Sequence, residues 1–244
     1  YAYSVTDGAS QPSVHLAQRG NRKLTWEKSN NLNVGVELGF VDRLDIEADF
    51  FIKDTKDMIY AKPLPPSQGS PSYIYTNEMD MRNIGVEVTL GATLVKTRDV
   101  KWTVDLNLTH YKNALTRLPE DKQSLIDKDG GYQAGSYWRS IGGSIYDFYD
   151  YHYLGVERTS GLPMYEITEK DYQEAQAQAA EEGIAFDESK YGQLEDGTRY
   201  AYETGNASQV VLGKTAIPDL YGGLSTSLEF YGFDLNIQTA FQIG

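Results

Sequence analysis

The chain has no cysteine among its 244 residues. That excludes a disulfide framework, a thiolate metal site and a cysteine nucleophile. It has no apolar run near the ~18 residues that a membrane-spanning helix needs, and no signal-peptide pattern opens it. Positive charge is scarce: 22 Lys and Arg stand against 35 Asp and Glu, a formal net charge of −13. A nucleic-acid partner requires a basic face, so that class is excluded. Histidine is rare as well, and His15, His110 and His152 are too far apart for a metal-spacing pair.

Alternating residues are abundant. In Leu44–Lys53, Leu44, Ile46, Ala48, Phe50 and Ile52 share one face and Asp45, Glu47, Asp49 and Lys53 the other, because strand side chains repeat every two residues. The pattern recurs in Leu32–Phe40, Ile84–Leu90, Trp102–Leu108 and Leu235–Phe241. One greasy and one highly charged face predict an antiparallel transmembrane β-barrel, greasy side outward, in an outer membrane. A soluble β-barrel or sandwich with the apolar faces inward, acting as a carbohydrate-binding module, is the competing reading. Periodicity alone does not separate inside from outside. Trp26, Phe40, Tyr60, Trp102 and Tyr231 near strand ends fit interfacial girdles and favour the membrane.

Six long strands are predicted: Leu24–Val41, Arg43–Ala61, Arg82–Thr97, Val100–Arg117, Leu220–Tyr231 and Phe233–Gly244. Their connections alternate short (Val41–Arg43, Arg98–Asp99, Tyr231–Gly232) and long (Lys62–Asp80, Leu118–Pro218). Short turns on one side and long loops on the other place the long side outside the cell. Leu118–Pro218 then begins and ends outside and holds an even number of crossings, most simply zero. Within it Trp138–Val156 is expected to pair with barrel strands, and Thr168–Gly183 to form a surface helix, with Thr168 and Asp171 as a weak capping box. Six strands are too few to close a barrel, and an open sheet leaves unsatisfied edges in lipid. The expectation is therefore an internal sector of a larger barrel.

No catalytic constellation stands out. Gly142–Tyr146 lacks the second glycine of a nucleophile elbow. Asp127-Lys128-Asp129-Gly130 lacks the later ligands of a Ca²⁺ loop and reads as a turn. No cofactor, metal site or enzymatic activity is predicted. The best functional hint is the 19 tyrosines. Tyr73, Tyr75, Tyr165, Tyr191, Tyr200 and Tyr202 fall in the predicted outer loops, where flat amphipathic rings are candidates to stack on sugars or anchor a partner protein. Ordinary loop packing is the competing account of each.

Several segments resemble SusC/RagA-type TonB-linked outer-membrane proteins. Leu24-Thr25-Trp26-Glu27 with Asn33-Val34-Gly35 is similar to their L-x-W-E … N-x-G strand. Asp49–Ile59, Arg82–Val88, Gly142–Gly155, Gly161–Tyr165, Gly213–Pro218 and Tyr231–Leu235 follow as further landmarks in family order. The family's D-x-N-x-D-G run is absent, so no ion site is carried over. The resemblance implies a sector of a roughly 22-stranded plugged barrel. It also implies TonB-driven import of glycans or peptides and a SusD-like surface lipoprotein over the extracellular mouth.

Overall fold

The structure is a computed structural model that describes residues 2–7, 12–41, 43–69 and 71–244, with the side chains of residues 1–17 excepted. Asp42 in the first short turn, Ser70 in the long loop and the His15 side chain lie outside the described residues. In chain order the elements are β1 (Ala2–Asp7), β2 (Pro12–Gln18), β3 (Lys28–Phe40), β4 (Leu44–Pro63), β5 (Tyr73–Lys96) and β6 (Val100–Arg117). Then come α1 (Gln123–Asp129), β7 (Tyr132–Ala134), β8 (Tyr137–Arg139), β9 (Asp147–Tyr151), β10 (Tyr153–Val156) and β11 (Pro163–Glu166). They are followed by α2 (Glu169–Glu181), β12 (Tyr191–Gln193), β13 (Arg199–Ala201), β14 (Gln209–Thr215), β15 (Leu220–Phe230) and β16 (Phe233–Ile243). The chain divides into two compact units: residues 1–132, 139–145 and 217–244, and residues 133–138 with 146–216.

The first unit is built on an open six-stranded antiparallel sheet in the order β16-β15-β6-β5-β4-β3. All six predicted strands are present. The hairpin between β15 and β16 turns on Tyr231 (φ +46°) and Gly232 (φ +86°). Positive φ at both central residues is what a type I′ turn requires, and its twist matches the flanking strands.

Three boundaries differ from expectation. β3 begins at Lys28 rather than Leu24, because β4 carries a bulge between Thr55 and Met58, with Asp57 at φ +58°. Pairing with β3 stops at Lys28↔Lys56. The preceding residues are held by side chains instead: Asn77 Oδ1 accepts from Thr25 N–H (2.8 Å) and Glu27 Oε1 from Ile59 N–H (2.7 Å). Second, the long loop expected over Lys62–Asp80 is far shorter, since β4 runs to Pro63 and pairs there with Tyr73 of β5. Tyr73 and Tyr75 are thus strand residues. Third, β1 and β2 form a hairpin that the sequence did not suggest.

The second unit carries two small sheets, β10-β11-β13-β12 and β14-β9-β8-β7. No strand between residues 118 and 218 exceeds the seven residues of β14, short of the ~9–11 needed to cross hydrocarbon. The expected pairing of Trp138–Val156 with barrel strands is corrected. Tyr137 pairs with Phe148, β9 pairs with β14, and β10 pairs with β11. Within the segment, Gly142–Ile145 reach the long strand β6 without joining its ladder: Leu115 N–H donates to Gly143 O and Gly142 N–H to Leu115 O, both at 2.8 Å, and Asn113 Oδ1 accepts from Ser144 Oγ–H and Ile145 N–H. The predicted helix is α2, capped by Thr168 Oγ1 accepting from Asp171 N–H at 3.2 Å; α1 was not foreseen. Losing an N-cap hydroxyl costs about 1 kcal/mol. Thr168→Ala should therefore lower the unfolding midpoint of this unit, while Thr168→Ser retains it, as read by hydrogen exchange of α2 amides.

Candidate functional site

The long strands sort most of their side chains by face through the middle of the sheet. One register line runs Leu38, Ile46, Leu90, Leu106 and Leu224 across β3, β4, β5, β6 and β15. Its neighbour on the opposite face runs Gly39, Asp45, Gly91, Asp105, Ser225 and Gln238. The line beyond is apolar again: Phe40, Leu44, Ala92, Val104, Thr226 and Ile237. The charged face holds Glu37, Asp45, Glu47, Asp49, Glu87 and Asp105 within four strands. Glycines leave room for these carboxylates; a Cβ at Gly35 would collide with Asp49.

The apolar face is uncovered. Leu32, Val34, Val36, Leu38, Phe40, Phe50, Ile84 and Val86 are 39–58% exposed. The buried apolar side chains lie elsewhere: Met79, Leu115, Leu118, Tyr132 and Ile217 in the first unit, and Met164, Ile167, Tyr172, Tyr200 and Ala201 in the second. An apolar sheet face of this extent is foreign to a water-soluble surface. From Ile84 to Val95, β5 rises about 36 Å. A tilt of about 40° projects that to about 28 Å, close to the ~25 Å apolar band of a membrane barrel. Trp102, Phe230 and Phe233 lie on this face at the short-turn end, with Trp102 Nε1–H donating to Thr226 Oγ1 at 2.8 Å. Tyr60 leaves the expected girdle, its hydroxyl donating to Asp121 Oδ2 at 3.4 Å.

Residues 1–161 match the family described as TonB dependent receptor-like, beta-barrel. The chain belongs to that family. Such proteins are outer-membrane β-barrels of Gram-negative bacteria that act as receptors and transporters rather than enzymes. The TonB-dependent receptor P3 of Formosa agariphila is 26% identical over 96% of this chain and 22% of its own length. The TonB-dependent receptor SusC of Bacteroides thetaiotaomicron is 22% identical over 88% of this chain and 19% of its own. The chain thus spans about a fifth of the length of these relatives. Among solved structures, the RagAB peptide importer in its closed–closed state superposes over the whole chain with a TM-score of 0.74 at 21% identity. It matches 24% of that longer chain. The barrel sector expected from the alternation and the SusC/RagA resemblance is therefore the family to which the chain belongs.

The six tyrosines singled out from the receptor sequence divide between the two units. In the first, Tyr73 and Tyr75 meet edge to face, with centroids 5.3 Å apart. In the second, Tyr165 packs on Tyr153 (5.9 Å), Tyr200 on Tyr202 (5.4 Å), and Tyr191 stacks on Phe186 (5.3 Å) with Tyr172 against both. Tyr200 is only 6% exposed, and the other five are half-buried. Two rings not singled out, Tyr146 and Tyr153, are more open, at 47% and 53%. They lie in the segment assigned to barrel pairing.

Charge organises the same unit. Residues 146–216 hold fourteen acidic and five basic residues. Ser160 donates to Glu157 and holds its carboxyl below the usual range, and the Arg199 guanidinium does the same for Glu169. A hydrogen bond with Tyr200, reinforced by burial, pushes the Tyr202 phenol up, and burial raises Tyr191. Arg199 also lies over the Tyr172 ring, 4.2 Å from its centroid. A groove of about 590 Å³ beside α2 is lined by Ala175, Ala179, Ile184, Phe186 and Tyr191, with Gln178, Glu182, Lys190 and Asn206 among its polar groups.

Proposed function

We propose that this chain supplies a wall sector and the extracellular mouth of a TonB-dependent importer of oligosaccharides or peptides. The observation that carries it is the uncovered apolar sheet face backed by a carboxylate-rich face. A soluble carbohydrate-binding barrel would bury the apolar face, so that alternative is disfavoured. On this reading Leu44, Ile46, Phe50, Val104 and Leu106 meet lipid, while Asp45, Glu47, Asp49, Asp105 and Asn107 meet the lumen.

Residues 118–218 are the extracellular insert, on which a SusD-like surface lipoprotein docks, with energy from the TonB complex. Support comes from the SusC relative and from the likeness to the RagAB importer. Tyr73, Tyr75, Tyr165, Tyr191 and Tyr202 are open enough to touch substrate or partner; Tyr200 acts by packing beneath Tyr202. An acidic mouth suits neutral or cationic substrates, since like charge repels polyanions. Protease added to intact cells should cut near Glu181 or Asp196, both exposed. Cleavage only after the periplasm is opened would reverse the topology.

A further inference from the structure

The outward face does not end evenly at its two ends. At the short-turn end it finishes in aromatic rings. At the long-loop end it finishes in cations. Lys112 on β6 shares a register line with Ile84, Ile52 and Leu32 and therefore faces outward at the upper edge of the apolar band. Arg82 on β5 faces outward one line higher, beside Asp54, and Lys28 and Lys56 face each other across β3 and β4 one line higher still.

These four cations climb four residues over three strand spacings, about 13 Å along the strands against about 14 Å across them. That slope is about 43°, within the range of barrel strand tilt. With the strands tilted so that each register line rises from β3 toward β6, they lie at one level, as a belt just above the hydrocarbon. The carboxylates that approach the belt are already engaged: Asp54 by Arg82 at 2.6 and 2.9 Å, and Asp57 by Lys28 at 2.8 Å. Lys56 and Lys112 are exposed and have no ion-pair partner among the described residues. Trp26, 89% exposed, immediately precedes this belt in the chain. A net charge of −13 makes an outward row of four cations the opposite of what composition would scatter there.

We propose that this belt binds the anionic phosphate headgroups of lipids in the leaflet on the long-loop side. Lys56 and Lys112 supply the free charges, and the acyl chains lie on the apolar lines below. The site rests on the membrane-barrel reading above, but not on any role of the insert. A cation near an anionic membrane surface contributes about 1 kcal/mol, about a fivefold change in binding. Two act together for about 25-fold at low salt, less as salt screens them.

The test is native mass spectrometry of the full-length protein in neutral detergent. It is offered phosphatidylglycerol or phosphatidylcholine with the same acyl chains. The wild type should retain phosphatidylglycerol in excess, and Lys56→Gln/Lys112→Gln should lower that retention about tenfold or more. Lys56→Arg/Lys112→Arg, which keeps both charges, should bind as the wild type. Lys53→Gln, on the inward face, should change nothing. Equal retention of the two lipids, loss in the Arg variant, or an equal loss with Lys53→Gln overturns the proposal. Failure of the membrane reading itself would show separately, as labelling of the Ile46→Cys variant by a membrane-impermeant thiol reagent.

Discussion

Ile46→Arg should destabilise the assembled barrel by about 2–4 kcal/mol, whereas Glu47→Arg, one residue along, should be tolerated. Ile46 sits mid-band between Leu38 and Leu90, where a guanidinium has no water and no counter-ion. Glu47 lies between Glu37 and Thr89 on the carboxylate-rich face, where an added cation reduces repulsion. The measurement is urea unfolding of the full-length protein from lipid vesicles. Equal costs at the two positions would mean that the faces are not divided between lipid and lumen.

Replacing Asp147–Thr215 with a short Gly-Ser linker should leave a membrane-inserted barrel while lowering lipoprotein co-purification at least tenfold and abolishing growth on the transported substrate. The cut points follow from the structure, because Ala216 N–H donates to Tyr146 O at 3.1 Å. A short linker can therefore join them without strain on either side. By contrast a single substitution such as Tyr165→Ala should only weaken uptake, since interface energy concentrates in a few anchors and most contacts add little. If the shortened protein still binds its lipoprotein and supports growth, the insert is not the docking surface.

The barrel wall was legible because nothing interferes with the period of two between Leu44 and Phe50, or between Trp102 and Leu108. On the membrane-barrel reading proposed above, one face meets a uniform apolar medium and the other a polar one. Legibility failed at the upper half of β5. Residues 73–81 are half-buried or buried on both faces, with Met79 only 3% exposed, so no alternation marks them as strand. The prolines that precede them, Pro63, Pro65, Pro66 and Pro71, then drew the loop boundary too far. Strands of three to seven residues in the second unit are too short to show a period, and their order depends on long-range pairs such as Tyr165↔Ala201. The aromatic groupings were hidden for the same reason: Tyr191 meets Tyr172 across α2 and the segment after it. The outward cations were readable in principle. Lys56 and Lys112 continue the even-numbered outward positions, but their level becomes meaningful only once strand tilt and register are known.

The bond between Tyr146 and Ala216 has a kinetic consequence. In the six-stranded sheet most neighbours are also consecutive in sequence and can zip up as hairpins. The seam between β6 and β15 is different, because Tyr221 pairs with Thr109 across the entire insert. Closing a flexible loop of that length costs about 2 kcal/mol more than closing one of ten residues, and such distant pairings slow assembly. An insert that folds first shortens the journey. With its two ends held together, some seventy residues behave as a rigid bead, and only the short stretches flanking it remain to be closed. The order of events would then be insert before seam, so that a mutation confined to the insert's core delays the joining of two wall strands that it never touches.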